Sequence, residues 1–246
     1  MCLHSLSVDH NQDESIFHFK LNKSSSSGND QDTSFFEWSI LRLDKCGEWS
    51  GPLYFDFLSR NATFLKEHLK HYPPQAFTDL SFSINKTKVL SSPHNFFVFV
   101  RDPHHSFYEE FVVKKTTNAE CHSNSPTVSE LENHDDNNSE LHMFLREHKI
   151  IGICGGKPNN GQSMEVGYAL DEAFQSHGIV TNTLKVIIER AFHTIDCLKE
   201  IEIVCRTDNL RSAQVAHRLN FVFNEEKSKE VSLKENCDLH VYVLEK

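Results

Sequence analysis

Glycine is rationed in this chain. Only nine of 246 residues are glycine, and six of them (Gly152, Gly155, Gly156, Gly161, Gly167 and Gly178) fall between residues 152 and 178. Glycine reaches left-handed backbone and lets other groups approach the main chain, so tight turns and close contacts are concentrated in one stretch. Its last member opens an otherwise amphipathic segment, DEAFQSHGIVTNTLKVIIERAF, in which positions 180, 184, 187, 188, 191 and 195 keep one apolar helical face. A strand that turns directly into a helix leaves the first helical N–H groups without partners. Together with the helix dipole they attract an anion, and Gly178 leaves them unshielded. The amides of 176–181 are thus a candidate pyrophosphate cradle, although an ordinary strand-to-helix turn has the same local signature.

The segments around this turn predict the architecture. EWSILRLD and NFFVFVRD read as strands, and GPLYFDFLSRNATFLKEHLKHY as helix up to the two prolines at 73–74. LHMFLREHKIIGICGG alternates on both sides of REHK, which predicts a hairpin, and SMEVGYALD is the next strand. IEIVCRT is a strand, NLRSAQVAHRLN a helix capped by Asp208 or Asn209, and FVF and LHVYVLE close the chain as strands. The loosely patterned EEKSKEVS between them reads as loop. Strands and helices in this order predict an α/β protein with helices around one mixed sheet. Residues 1–33 are polar and predict a flexible tail ahead of a domain over 34–246, and 114–140 predicts a disordered insertion.

Bulk properties narrow the chemistry. The chain has no run of eighteen apolar residues, and its start lacks the basic-then-apolar layout of a secretion signal, so no membrane is expected and the cytoplasm is the expected compartment, with the nucleus open as well. Seven cysteines occur without a C-x-x-C, and the sixteen histidines lack spaced clusters, so neither disulfides nor a metal are expected. A net charge of −10 without a basic run predicts no nucleic-acid binding and suits a cationic partner such as an amine. Neither G-x-G-x-x-G nor the lysine of a P-loop accompanies the turn, which disfavours dinucleotides and nucleoside triphosphates.

Gln175-x-x-Gly178-x-Val180, preceded by EVGYALDEAF and followed by DNLRSAQVAHRLNF, resembles the GNAT superfamily of acetyl-CoA-dependent N-acetyltransferases. Within it the match is closest to the RimJ/RimL-type ribosomal-protein N-acetyltransferases, where E-I-G-Y-x-L precedes Q-G-K-G and N-x-x-S-x-x-V/L-A follows. SRNATFLKEHL is similar to that group's N-x-x-x-L segment. The resemblance spans 141–224, and more loosely 38–72. The chain departs from the pattern at Val180, where a Gly or Ala is usual, and at Ala216, where many members carry a tyrosine.

The resemblance implies a GNAT-like fold with a central sheet that splays at YALD, and acetyl-CoA as cosubstrate. Tyr168, Ala169 and Leu170 would hold the pantetheine arm by main-chain contacts that include the oxyanion donor. Gln175, Ser176, His177, Gly178, Ile179, Val180 and Thr181 would hold the pyrophosphate, and Asn209 the pantetheine amides. Ser212, three residues after Asn209 on one helical face, stands where similar enzymes have a serine near the sulfur. For the base, the strand period of two puts Glu165 on one face with Gly167 and Ala169; Glu230, near the place of a glutamate in RimL-like enzymes, is the other candidate. The implied acceptor is a primary amine, foremost a protein N-terminal α-amino group. A small-amine acetyltransferase and a non-catalytic acyl-CoA-binding scaffold remain alternatives, since a fold does not fix an activity.

Overall fold

Buried apolar side chains build the first strands of the computed structural model, which describes residues 5–10, 14–22, 35–68, 72–102, 138–159 and 161–246. The chain forms two compact units. The first comprises the described residues of Met1–Leu41, Lys45–Lys88 and Phe99–Ile151. In it β1 (Ser5–His10), β2 (Ile16–Asn22) and β3 (Phe35–Arg42) pair antiparallel, with Phe19 opposite both Val8 and Trp38. Phe19 and Trp38 stack with centroids 4.8 Å apart, and both are buried. The flexible tail expected over 1–33 is therefore corrected at Ser5–His10 and Ile16–Asn22. Four apolar side chains in IFHFKL, namely Ile16, Phe17, Phe19 and Leu21, go into the core, a signal diluted by the polar residues around it.

Helices α1 (Ser50–Arg60) and α2 (Ala62–His68) follow, as the periodicity predicts, and part at Asn61, whose Nδ2 donates to the Phe57 carbonyl at 2.9 Å. Helix α3 (Leu80–Leu90) comes next. The expected hairpin across REHK is replaced by helix α4 (Asn138–Glu147) running into β5 (His148–Pro158). The alternation of Leu141, Met143 and Leu145 misleads there: Met143 is exposed, while adjacent Phe144 and Leu145 are buried, which is a helical stripe. Most of the insertion expected over 114–140 lies outside the described residues.

The second unit comprises Arg42–Asp44, Val89–Val98 and Gly152–Lys246. It holds the start of β4 (Asn95–Arg101), most of β5, then β6 (Ser163–Leu170), α5 (Ile179–Thr194), β7 (Glu200–Arg206), α6 (Leu210–Arg218), β8 (Val222–Asn224), α7 (Glu225–Glu235) and β9 (Leu239–Glu245). Its strands lie in the order β4-β5-β6-β7-β9-β8. β6 and β7 are parallel and linked by α5, whereas β5 with β6, β7 with β9 and β8 with β9 are antiparallel. The mixed sheet expected from sequence is thus present. Gly155 permits a close approach: a Cβ there would lie 2.6 Å from the Asn95 Cα, and the neighbouring Gly156 N–H donates to the His94 carbonyl at 3.0 Å. EEKSKEVS, expected as loop, is α7. Its N-cap Asn224 accepts from the Lys227 N–H at 2.9 Å, and buried Ser228 ties it to β9; few apolar residues mark the segment because polar contacts anchor it.

Candidate active site

The ladder between the parallel strands β6 and β7 runs from Ser163↔Glu200 to Val166↔Ile203, although β6 continues to Leu170 and β7 to Arg206. Beyond Val166 the strands part. Gly167–Leu170 keep β5 as their neighbour, in register from Gly155↔Gly167 to Gly152↔Leu170. Their main-chain groups on the β7 side have no ladder partner, which is how a strand offers hydrogen bonds to a ligand. A Cβ at Gly167 would meet nothing within 4 Å, so there is open space beside the gap. The splay thus lies at the expected residues, Tyr168, Ala169 and Leu170.

From Leu170 the chain turns through Asp171, whose Oδ1 accepts from the Ala173 N–H at 3.1 Å, into the loop before α5. Gln175 is held at both ends: Nε2 donates to the Leu170 carbonyl at 3.3 Å, and Oε1 accepts from Arg211. Ser176 and Gly178 both have left-handed backbone, with φ of 66° and 78°. Gly178 is the N-cap of α5. No side chain caps this helix, and its first turn contains no acidic residue. Its carbonyl accepts from the Asn182 N–H at 3.0 Å, the first bond of the helical ladder. The N–H groups of Ile179, Val180 and Thr181 therefore have no partner in the helical ladder, an arrangement that can take an anion. Ile179 is buried, Val180 and Thr181 are half-buried, and His177 is a half-buried loop residue.

Helix α6 brings the next group to β6. Asn209 caps it, with Oδ1 accepting from the Ser212 N–H at 3.1 Å, so the capping alternative holds for Asn209. The Tyr168 hydroxyl donates to the Ser212 carbonyl at 3.4 Å, placing the start of α6 over the splayed part of β6. Burial raises the Tyr168 phenol well above its ordinary range, against a smaller opposing effect of that bond, and keeps it protonated. Ser212 is half-buried, and its hydroxyl has no hydrogen-bond partner among the described residues. Ala216, one turn on, is fully buried. Arg211, which bridges α6 to Gln175, was not a sequence candidate. Its only signal was adjacency to Ser212.

Glu165 lies on the opposite face of β6 from Tyr168, in the parity of Gly167 and Ala169, one residue before the last β6–β7 pair. Its register neighbours are Lys157 on β5 and Glu202 on β7. Although its side chain reaches solvent, crowding by the protein raises its carboxyl above the usual glutamate range. Glu202 and Glu235 reinforce the shift, and Lys157 and Lys234 oppose it. Such a group holds a proton more readily than a free glutamate, as suits a general base. Glu230 is exposed on α7 and is not among the charges acting on Glu165, so the two base candidates are not brought together. Lys227 reaches down from α7 to Glu200 and Glu202, each at 2.5 Å. These three residues were also missed by sequence reasoning; the only hint was that Glu200 and Glu202 alternate with Ile201 and Ile203.

Among the described residues there is no group of three or more His, Cys, Asp or Glu that could hold a metal, and no helix long and apolar enough to cross a membrane.

Comparison with known proteins identifies the family. A family model for the acetyltransferase (GNAT) domain matches residues 93–222, more than half of the chain. A ribosomal-protein-serine acetyltransferase of Escherichia coli is 33% identical over 87 residues, which cover 34% of this chain and 48% of that protein. The chain thus spans about half the length of the curated relative it matches. Among solved structures, the microcin C7 self-immunity acetyltransferase MccE, in complex with acetyl-CoA and AMP, superposes with a TM-score of 0.50 at 13% identity, covering 85% of this chain and 92% of that one. That likeness shows a shared fold. A ribosomal-protein-S5-alanine acetyltransferase from Vibrio fischeri gives a TM-score of 0.49 at 15% identity over 85% of this chain and 92% of that one.

Proposed function

The chain belongs to the acetyltransferase (GNAT) family, and on that footing we propose that it transfers the acetyl group of acetyl-CoA to the α-amino group of a protein N-terminus, in the cytoplasm. The observation that carries this reading is the parting of β6 and β7 after Val166 beside an uncapped helix N-terminus at Gly178. The two features together suit a ligand with a pyrophosphate at one end and an amide-bearing arm at the other. The ribosomal-protein-serine acetyltransferase of Escherichia coli among the similar proteins supports a protein amine as acceptor.

Acetyl-CoA supplies the thioester. The loop from Gln175 to Thr181 holds its pyrophosphate on main-chain N–H groups, and Val180, bulkier than the usual residue there, still leaves its own N–H available. Tyr168, Ala169 and Leu170 bind the pantetheine arm along the unpaired side of β6, and Asn209 offers its amide to the same arm. A main-chain N–H of the splayed stretch donates to the thioester oxygen as negative charge develops there.

Glu165 takes one proton from the acceptor ammonium, directly or through a water. The neutral nitrogen then forms the C–N bond to the thioester carbon. As the C–S bond breaks, sulfur leaves with its electron pair and takes the proton that the new amide nitrogen sheds. Ser212, whose hydroxyl is uncommitted, donates to that sulfur. Glu165 returns its proton to solvent, so one ammonium and one thioester give one amide, one thiol and one proton.

Calorimetric titration with acetyl-CoA tests the cofactor half. Micromolar binding that is lost in Gly178→Asp is expected, because the carboxylate would face the pyrophosphate across the helix N-terminus. Turnover on N-terminal peptides tests the rest. Acetyl-CoA binding without turnover on any peptide or polyamine would turn the reading towards a non-catalytic acyl-CoA-binding protein.

A further inference from the structure

The face of the sheet that carries Glu165 holds an unusual row of charges. Lys157, Glu165 and Glu202 stand side by side on β5, β6 and β7, with Glu200 two residues before Glu202 on the same strand face. Two carboxylates directly opposite each other in a sheet repel, and either could take a single shared proton. The row is not symmetric, however. The Glu202 side chain is only 14% exposed, and the Lys227 ammonium lies 2.5 Å from it and 2.5 Å from Glu200. Burial opposes the charge on Lys227, but the bonds to Glu200 and Glu202 outweigh it and hold the ammonium above the usual lysine range. Glu165 has Lys157 and Lys234 acting on it, but no ion pair of its own among the described residues. Lys227 is kept in place by the first turn of α7, where Asn224 accepts from its own N–H and Ser228 bonds the Val241 N–H at 2.9 Å.

We propose that Lys227 and Glu202 are positioning residues for Glu165: Lys227 fixes Glu202 as a carboxylate opposite Glu165, so that the proton lost by the acceptor amine goes to Glu165 and not to Glu202. This rests on the reading of Glu165 as the base and adds the device that selects it. Lys157 from β5, Glu200 from β7, Glu245 from β9 opposite Glu200, and Lys234 and Glu235 from α7 also face the row. None of them is bonded to Glu202.

The test is NMR titration of side-chain-labelled glutamates, run beside pH profiles of kcat/KM, in the unaltered protein and in Glu202→Gln, Lys227→Met and Lys227→Arg. In the unaltered protein Glu165 is expected to take up its proton before Glu202 as the pH falls. Removing the opposing charge in Glu202→Gln, a near-isosteric change that spares the fold, is expected to move the Glu165 midpoint and the acid limb of the profile to lower pH together. Relative kcat/KM on that limb rises about tenfold. Lys227→Met should spread the protonation over both carboxyls, and Lys227→Arg should restore the original order. An unmoved Glu165 midpoint in Glu202→Gln overturns the proposal, as does a Lys227→Met protein in which Glu165 alone still takes the first proton. Turnover of Glu165→Gln decides the base reading separately: if it is unimpaired while the NMR order holds, only the assignment of the base fails.

Discussion

At Gly178 two demands meet in one residue. Its φ of 78° strains any L side chain, and a Cβ there would lie 3.3 Å from the Asn182 Nδ2. Gly178→Ala is therefore expected to cost about 1–2 kcal/mol in urea denaturation, yet to bind acetyl-CoA better than Gly178→Asp. Equal loss of binding in both would mean that backbone strain, not access to the amides, limits the site. Glu165 gives a second expectation at this scale. Glu165→Gln should lower kcat/KM by about 10²–10⁴-fold if the carboxylate is the base. Its raised midpoint in the folded protein means that the fold binds this proton more tightly than the unfolded chain does. The resulting stabilisation is present at acid pH and is lost as pH rises through the folded midpoint. Glu165→Gln should thus be at least as stable as the parent at neutral pH, a gain readable by urea denaturation at two pH values. Both residues were legible in sequence, one as an isolated glycine and the other through the period of a strand. Glu202 and Lys227 were not, because their roles depend on a cross-strand register and on a helix that arrives from 25 residues further along.

Elements differ in what holds them, and that decides how readable they were. Helix α5 buries Ile179, Thr183, Leu184, Ile187, Ile188 and Ala191 on one stripe, so its apolar period announces it. Helix α7 buries only Ser228, whose hydroxyl donates to the Asn224 carbonyl at 2.5 Å and accepts from the Val241 N–H. No hydrophobic period could reveal such a helix. Ser228→Ala should leave the buried Val241 N–H unsatisfied and destabilise by about 1–3 kcal/mol, measured by chemical denaturation. Asn209→Ala, which removes the cap of α6, should cost about 1 kcal/mol. A loss in Ser228→Ala smaller than that for Asn209→Ala would mean that α7 is held mainly by Lys227 instead. The mistaken first arm of the hairpin, Leu141–Leu145, has the converse origin: a short apolar run fits two periods at once, and burial of the adjacent Phe144 and Leu145 decides for the helix.

On the scale of the whole molecule, the two compact units interleave along the chain. Arg42–Asp44 and Val89–Val98 belong with the C-terminal unit, through contacts such as the 3.0 Å bond from the Gly156 N–H to the His94 carbonyl. A linear reading cannot assign such short segments, because a partner such as that of His94 lies some 60 residues away in sequence. Net charge, by contrast, is fully legible and has a kinetic consequence. With −10 overall, the protein should attract a cationic peptide and repel anionic acetyl-CoA, and both effects are screened over roughly 8 Å at physiological salt. Raising the ionic strength should increase KM for a basic acceptor peptide and leave unchanged or lower KM for acetyl-CoA, as steady-state kinetics in added salt would read. A parallel rise in both would assign the effect to general destabilisation. The ladder that stops at Val166↔Ile203 also leaves a mark that needs no catalysis to detect. Those amides of Gly167–Leu170 that point away from β5 have no ladder partner among the described residues, so their hydrogens should exchange with deuterated water far faster than those of Ser163–Val166 on the same strand. Occupation of the gap should slow them selectively, a footprint that reports binding whether or not the bound molecule reacts.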